Sequence, residues 1–263
     1  MIGRGNGPSA SATGAPLSDP VSESRRLVAA ATDHGITARV LGGVAVCLQT
    51  PADGPLLTRT CADIDIATPR GGRRKVAELL KSAGYVEDEM FNAVHGAHRL
   101  LFYDTINSHK LDVFVGEFSM CHVIPIADRL DREPLTVPLA ELLLTKLQIV
   151  ELNERDQRDI YNLALHHHLS DGDGSGIEAD YIADLCSKDW GLWRTSKATI
   201  EQCLANLAAY SLPPEASELI ATRLQSLRQN IEAAPKGAKW KLRNRVGDRV
   251  RWYNEPEEEA QPN

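Results

Sequence analysis

The stretch ADIDIA, residues 62–67, decides the first half of the fold because polar and apolar residues alternate strictly along it. A period of two residues predicts a half-buried β-strand, with Ile64 and Ile66 facing a core and Asp63 and Asp65 on the opposite face. Two neighbouring carboxylates repel each other, so a fold that keeps both charged usually supplies a cation. Mg²⁺ prefers such oxygen ligands and retains waters that a phosphate can replace. A solvated sheet face is the alternative interpretation of this pattern.

A third carboxylate occurs in KLDVFV, residues 110–115, which is otherwise apolar from residue 111 onward. On a strand, Leu111, Val113 and Val115 share one face and Asp112 points to the other. A carboxylate buried there without a partner would be costly. If this strand pairs with the 62–67 strand, the three carboxylates converge on one site, where two metal ions would activate an attacking oxygen and stabilise a leaving pyrophosphate. Spacing alone does not establish the pairing.

Two adjacent glycines, Gly42 and Gly43, lie between a strand predicted at 37–41 and a helix predicted at 44–48. Glycine allows close approach of the backbone, and the free amides at a helix start attract phosphate. A simple turn is the alternative. The position of the pair, about twenty residues before a strand with two acids, favours the phosphate interpretation.

Hydrophobic periodicity changes along the chain. Helices at 22–31 and 73–83 and strands at 85–89 and 98–103 accompany the elements above, whereas the pattern is helical from Pro138 onward. We therefore predict an α+β fold, in which a small mixed sheet with helices is followed by a C-terminal helical domain. The predicted segments are a disordered leader (1–24), the sheet domain (25–132), the helical domain (133–254) and an acidic tail (255–263).

Composition excludes several classes of protein. The 263 residues carry 29 Lys and Arg against 36 Asp and Glu, a formal net charge of −7, and 43% are hydrophobic. These values are typical of a folded protein, and no run approaches the ~20 apolar residues of a membrane span. The five cysteines are scattered without a C-x-x-C pair, which favours a reducing cytoplasm over a disulfide framework or a zinc site.

Three motifs in order resemble those of the DNA polymerase β-like nucleotidyltransferase superfamily: LGGVAVCLQ (41–49), RTCADIDIAT (59–68) and KLDVFVG (110–116). That family has a Gly-Gly or Gly-Ser turn, a strand with paired aspartates and a later single aspartate. The segment from 138 to 166 is similar to abortive-infection (AbiEii-type) nucleotidyltransferases, which include toxins of toxin–antitoxin pairs. The resemblance covers about residues 37–170. The segment PADGPLL, 51–57, is an insertion that alters the spacing of the first two motifs.

The resemblance implies transfer of an NMP group from an NTP to an acceptor hydroxyl, with release of pyrophosphate and Mg²⁺ as cofactor. It implies that Asp63 and Asp65 bind Mg²⁺ and that Asp112 binds metal or acts as general base. The predicted sheet domain (25–132) is then the nucleotidyltransferase domain, and the NTP lies between it and the helical domain.

The same resemblance implies roles for five further residues. Gly42 and Gly43 hold the phosphates of the nucleotide, and Arg59 contacts phosphate. Lys146 meets the triphosphate, and Asp159 is the acid of the final motif.

Physical alternatives exist for the residues of this later motif. Lys146 interrupts an apolar helix, and a lysine that snorkels at the helix edge explains it equally well. Asp156, one helical turn before Asp159, is a rival for the final-motif acid. The run from 155 to 159 is also typical of an exposed ion-pair network.

The resemblance also implies partners. The acceptor is the end of a tRNA or another RNA, and a neighbouring antitoxin silences a toxin. An antibiotic-modifying nucleotidyltransferase of small molecules is a second hypothesis, and a non-catalytic nucleotide- or partner-binding module is a third. No membrane partner is expected.

A basic segment, residues 236–251, holds seven Lys or Arg and one Asp, a local net charge of +6. Trp240, Trp252 and Tyr253 lie in it or just after it. Basic residues interleaved with aromatics bind phosphate backbones and stack on unpaired bases. A solvated helix face, or a helix docked on the acidic body of the protein, is the alternative.

Overall fold

The computed structural model describes residues 14–51, 57–58, 60–61, 63–170, 172 and 175–255. Within these ranges the chain forms ten α-helices, one five-stranded mixed sheet and two small sheets, which confirms the predicted α+β class with a helical C-terminal part. The chain divides into two compact units. The first comprises the described residues of 1–44, 61–117 and 126–136, and the second those of 45–60, 118–125 and 137–263.

The sheet of the first unit consists of β1 (Arg39–Leu41), β2 (Ile64–Thr68), β3 (Val86–Glu87), β4 (Arg99–Asp104) and β5 (His109–Val115). Their order is β1-β2-β5-β4-β3. β2 and β5 are parallel, and the other neighbours are antiparallel. The segment 126–136 returns beside β1, where the amide of Val40 donates a hydrogen bond of 2.9 Å to the carbonyl of Leu135.

The first four helices are α1 (Pro20–Asp33), α2 (Gly42–Gln49), α3 (Arg73–Ser82) and α4 (Glu89–His95). α1 and α3 cover one face of the sheet, where Leu27 of α1 and Leu80 of α3 join the buried cluster that contains Ile64, Ile66 and Leu111. The alternation in ADIDIA therefore has the predicted consequence, because both isoleucines enter the core.

The start of α1 corrects the predicted leader. Asp19 caps the helix by accepting a hydrogen bond of 2.8 Å from the Ser22 amide, so the folded chain begins before residue 24. Glu23 is fully buried and accepts hydrogen bonds from Arg26 at 2.6 Å and from the Tyr85 hydroxyl at 2.9 Å. Residues 1–13 of the leader and 256–263 of the acidic tail lie outside the described residues.

Six further helices belong to the second unit: α5 (Leu139–Leu147), α6 (Glu154–His166), α7 (Ala179–Lys188), α8 (Trp190–Asn206), α9 (Pro214–Ala233) and α10 (Ala238–Val246). All of α5 is buried, and it packs against α6, α7 and α8. The remaining strands are β6 (Glu117–Ser119), β7 (Val123–Pro125), β8 (Leu169–Ser170) and β9 (Ile177–Glu178). None of the helices within the described ranges is long and apolar enough to cross a bilayer.

Candidate functional site

The parallel pairing of β2 with β5 places Asp65 opposite Asp112. In the same register Ile66 lies opposite Val113, and both of these side chains belong to the core of the first unit. Because successive side chains of a strand alternate between faces, the two carboxylates lie on the sheet face that points away from this core. The strand pairing that the sequence left open is therefore present.

The three predicted carboxylates differ in their environments. Asp63 precedes β2 and is exposed, Asp65 is half-buried, and Asp112 is only 2% exposed. Among the described residues, no three His, Cys, Asp or Glu side chains form a group that could hold a metal ion. The structure thus brings Asp65 and Asp112 to one face without assembling all three aspartates into a preformed three-ligand cluster.

Asp112 is held by two cations that the sequence did not single out. Arg99 Nε donates to its Oδ1 at 2.7 Å, and Lys110 Nζ lies 3.2 Å from its Oδ2. Arg99 is 5% exposed, and its guanidinium carbon lies 5.3 Å and 5.5 Å from the ring centroids of Phe91 and Phe114. Burying an unpaired carboxylate costs free energy, and the buried ion pair with Arg99 offsets this cost for Asp112.

The position of Asp112 in an apolar strand predicts a neighbouring cation. Its two cations differ in how readily the sequence identifies them. Lys110 lies two residues before Asp112 on the same face of β5, a relation that strand periodicity shows directly. Arg99 is on β4, where Leu101 lies opposite Asp112. Finding Arg99 therefore required the register between two strands, which no local pattern contains.

Gly42 lies directly against Asp65. Its backbone has φ +66°, in the left-handed region that favours glycine, and a Cβ atom there would overlap Oδ2 of Asp65. Gly42 and Gly43 are both buried at the start of α2. The Gly-Gly turn and the strand that carries Asp65 are thus adjacent in space. Arg59, the predicted phosphate contact, lies outside the described residues.

A second charged cluster occurs within the second unit. Lys146 of α5 lies with its Nζ 2.9 Å from Oδ2 of Asp159 and 3.1 Å from Oδ1 of Asp156, and all three residues are buried. Burial by itself would lower the pKa of the Lys146 ammonium, but attraction to Asp159 and Asp156 outweighs it and raises the pKa. The lysine is therefore charged at neutral pH and bound to both aspartates of α6.

This cluster decides between the alternatives for the 155–159 run. Lys146 does not snorkel to the surface, because its charged end is buried between carboxylates. Asp156 and Asp159 point to this lysine, since residues three apart share one face of a helix. Only Arg158 follows the exposed-network interpretation, with an ion pair of 2.8 Å to Glu154 one turn earlier.

No protein-family model matches the chain, and no curated protein matches it significantly.

We expect Gly42→Ala to lower the free energy of unfolding more than Gly35→Ala does. Gly35 has a similar φ of +64°, but a Cβ atom there meets no described atom within 4 Å. The left-handed backbone costs a residue with Cβ about 1–2 kcal/mol at either position, and overlap with Asp65 adds about 1–3 kcal/mol at position 42. Urea unfolding monitored by circular dichroism measures both values.

A double variant tests whether the overlap with Asp65 causes the excess loss of stability at position 42. Asp65→Ala in the Gly42→Ala background removes the carboxylate and should recover the excess loss over Gly35→Ala. Equal losses in the two single variants would show that Asp65 does not press on position 42.

We expect Lys146→Met to destabilise the protein by about 3–5 kcal/mol, because it leaves two buried carboxylates without their cation. Lys188→Met is the matched control, since the side chain of Lys188 is 69% exposed and pairs with Asp184 across one turn of α7. Loss of such a surface pair costs about 0.2–1 kcal/mol. Thermal and urea unfolding compare the two, and a Lys146→Met loss no larger than that of Lys188→Met contradicts the buried cluster.

Proposed function

We propose that the protein is a metal-dependent nucleotidyltransferase that moves an NMP group from an NTP to an acceptor hydroxyl and releases pyrophosphate. The observation that carries the proposal is the position of Asp65 opposite Asp112 on neighbouring parallel strands, with Gly42 against the Asp65 carboxylate. A glycine turn at a helix start, a paired-aspartate strand and a later aspartate are the parts that the resembling superfamily requires, and here they adjoin within one unit.

The reaction forms a bond between the acceptor oxygen and the α-phosphorus and breaks the bond from that phosphorus to pyrophosphate. Little covalent chemistry falls to the protein, so catalysis depends on positioning and on neutralisation of phosphate charge. In the proposal the backbone amides at Gly42 and Gly43 bind phosphate at the start of α2. Asp112 accepts the proton of the attacking hydroxyl, with Arg99 and Lys110 fixing the direction of its carboxylate.

The donor atoms at the site suit Mg²⁺ in one particular mode. Mg²⁺ in nucleotide enzymes is held by one or two carboxylates together with substrate phosphates and waters, so a preformed three-ligand cluster is not needed. Asp65, with Asp63 two residues earlier, supplies oxygen ligands of that kind. When bound there, Mg²⁺ would neutralise and orient the triphosphate.

The acceptor and the biological setting rest on the sequence resemblance. By that resemblance the acceptor is the end of a tRNA or another RNA, and the protein acts in the cytoplasm as a toxin that a neighbouring antitoxin silences. Lys146 and Asp159 are assigned to the triphosphate on the same basis. The ion pair between Lys146 and Asp159 also supports a structural role for both residues within the second unit. The proposal therefore depends on the residues of the sheet and not on this pair.

A second candidate is a nucleotide-binding module without catalytic activity. The contacts of Asp112 favour it, because both oxygens of this carboxylate already lie within 3.2 Å of a cation, Arg99 or Lys110. Each of these oxygens keeps a further lone pair, but two neighbouring cations repel a metal ion, so metal binding at Asp112 is disfavoured.

The direct test incubates the purified protein with Mg²⁺, total tRNA and each of the four NTPs labelled at the α-phosphate. We expect labelled RNA and free pyrophosphate. Asp65→Asn should reduce transfer at least ~100-fold, since a carboxylate that holds the metal contributes about 3 kcal/mol or more. Asp33→Asn removes an exposed carboxylate of the same unit and should leave the rate unchanged.

Several results would decide against parts of this proposal. Label on a small hydroxylated compound instead of RNA assigns the antibiotic-modifying alternative. NTP binding that Asp65→Asn weakens, without transfer to any acceptor, assigns the non-catalytic module. Equal activity of wild type and Asp65→Asn, in protein with an unchanged melting temperature, contradicts the site itself.

A further inference from the structure

The four tryptophans of the chain form one cluster in the second unit. Trp190 and Trp193 lie on α8, with ring centroids 5.9 Å apart. Trp240 of α10 packs edge-on against Trp193 at 4.9 Å, and Trp252 packs edge-on against Trp190 at 6.2 Å. This cluster attaches α10 and the segment after it to α8.

The polar atoms of these rings are also used within the unit. Trp240 Nε1 donates to the carbonyl of Cys186 at 3.2 Å, and Trp252 Nε1 donates to Thr195 Oγ1 at 3.0 Å. Trp240 and Trp252 are half-buried and anchor the fold through these contacts, which limits their ability to stack on bases.

Arg243 stiffens the attachment from within. Its guanidinium carbon lies 4.3 Å from the ring centroid of Trp190, and its two terminal nitrogens donate to the carbonyls of Gly247 at 2.6 Å and Val250 at 2.7 Å. One arginine of the segment therefore faces the protein and holds the chain that follows α10 in place.

The other side of the segment carries unused positive charge. Lys241, Arg245 and Arg249, here called the basic outer face, are all exposed, as is Lys239 near the start of α10. None of these four side chains forms an ion pair or hydrogen bond with any described residue. Lys241 and Arg245 lie one turn apart on α10, about 6 Å along the helix axis, so their charges are in a row.

A cleft of about 590 Å³ adjoins this face. Arg245 and Arg249 line it together with Arg194 and Asp248. Asp248 is the acidic residue of the segment, and Arg194 Nη2 lies 2.9 Å from its Oδ2. Hydrogen bonding to Arg194 lowers the pKa of Asp248, so the carboxylate is charged and its charge is offset by that arginine. The cleft therefore retains the positive charge of Arg245 and Arg249.

We propose that the basic outer face binds the phosphodiester backbone of RNA. A chain with a net charge of −7 concentrates a local charge of +6 in residues 236–251, and four of these cations project from a rigidly anchored helix and the turn after it. A row of lysine and arginine side chains complements the regular charges of a nucleic-acid backbone, and arginine forks bind phosphate bidentately. Because Trp240 and Trp252 are half-buried and engaged in packing, we expect binding to depend on phosphate contacts and not on base identity.

This inference does not depend on the proposed function. It concerns residues of the second unit only, and RNA that binds there need not be the acceptor of a nucleotide. A catalytic failure and a binding failure are therefore separate results.

The test measures the affinity of the full chain for fluorescein-labelled U20 and A20 by fluorescence anisotropy over a series of KCl concentrations. Lys241→Gln/Arg245→Gln/Arg249→Gln should weaken binding at least ~10-fold at low salt. It should also reduce the salt slope of the affinity by about 2, since each phosphate contact to a single strand contributes about 0.7. U20 and A20 should bind alike.

A matched triple variant controls for charge alone. Arg25→Gln/Arg74→Gln/Lys75→Gln removes two arginines and one lysine that are exposed on α1 and α3 of the first unit. It should bind RNA like wild type. Circular dichroism checks that each variant is folded, which is expected because the three substituted side chains of the basic outer face have no described partners.

Four results overturn the proposal. They are absence of RNA binding by the wild type, unchanged affinity of the Lys241/Arg245/Arg249 variant, an equal loss in the control triple variant, and a preference between U20 and A20 beyond ~10-fold. Binding of poly-L-glutamate without binding of RNA likewise overturns it and assigns this face to an acidic protein partner.

Discussion

The parallel register between β2 and β5 is the constraint on which the first unit depends. It places Ile66 beside Val113 in the core and Asp65 beside Asp112 on the other face. A slip of one residue in β2 would turn its carboxylates toward α1 and α3 and turn Ile64 and Ile66 to the opposite face. The same hydrophobic burial that fixes the sheet therefore fixes the polar face, and Gly42 can approach Asp65 only in this register.

Each unit also contains a buried ion cluster. Desolvating charges offsets much of the attraction between them, so such pairs add little stability compared with apolar side chains of the same size. What they fix is direction. Arg99, held between Phe91 and Phe114, aims at one oxygen of Asp112, and Lys146 sets the side chains of Asp156 and Asp159 on α6. The main effect of both clusters is therefore to orient carboxylates, and their net contribution to stability is small compared with that of apolar side chains of the same size.

Much of the fold could be predicted because it follows from local periodicity. The strand predicted at 110–115 is β5 at His109–Val115, and the helix predicted at 73–83 is α3. Other elements were not predicted because their sequence signals are short or run against the usual hydrophobic pattern. β8 and β9 have two residues each, too few for a period, and α4 exposes Met90 and Val94, the apolar residues that would normally mark a buried face.

For the candidate site, the carboxylates and the glycine turn could be identified from residue types, whereas their partners on other strands and helices could not. Arg99 meets Asp112 across two strands, and Lys146 meets Asp156 and Asp159 across two helices. Such contacts depend on tertiary packing, which neither spacing nor alternation encodes. The basic segment was visible as charge, but the division into an anchored side and a free side required the positions of the tryptophan rings.

The tryptophan cluster has a consequence for how the protein can be observed. All four indoles lie at 190, 193, 240 and 252, so the segments that form the first unit contain no tryptophan. Intrinsic emission excited at the red edge of protein absorption therefore reports on the helical unit alone, and the sheet unit contributes only tyrosines such as Tyr85 and Tyr103. A transition seen in the far-ultraviolet spectrum but absent from tryptophan emission would be the sheet unit unfolding by itself.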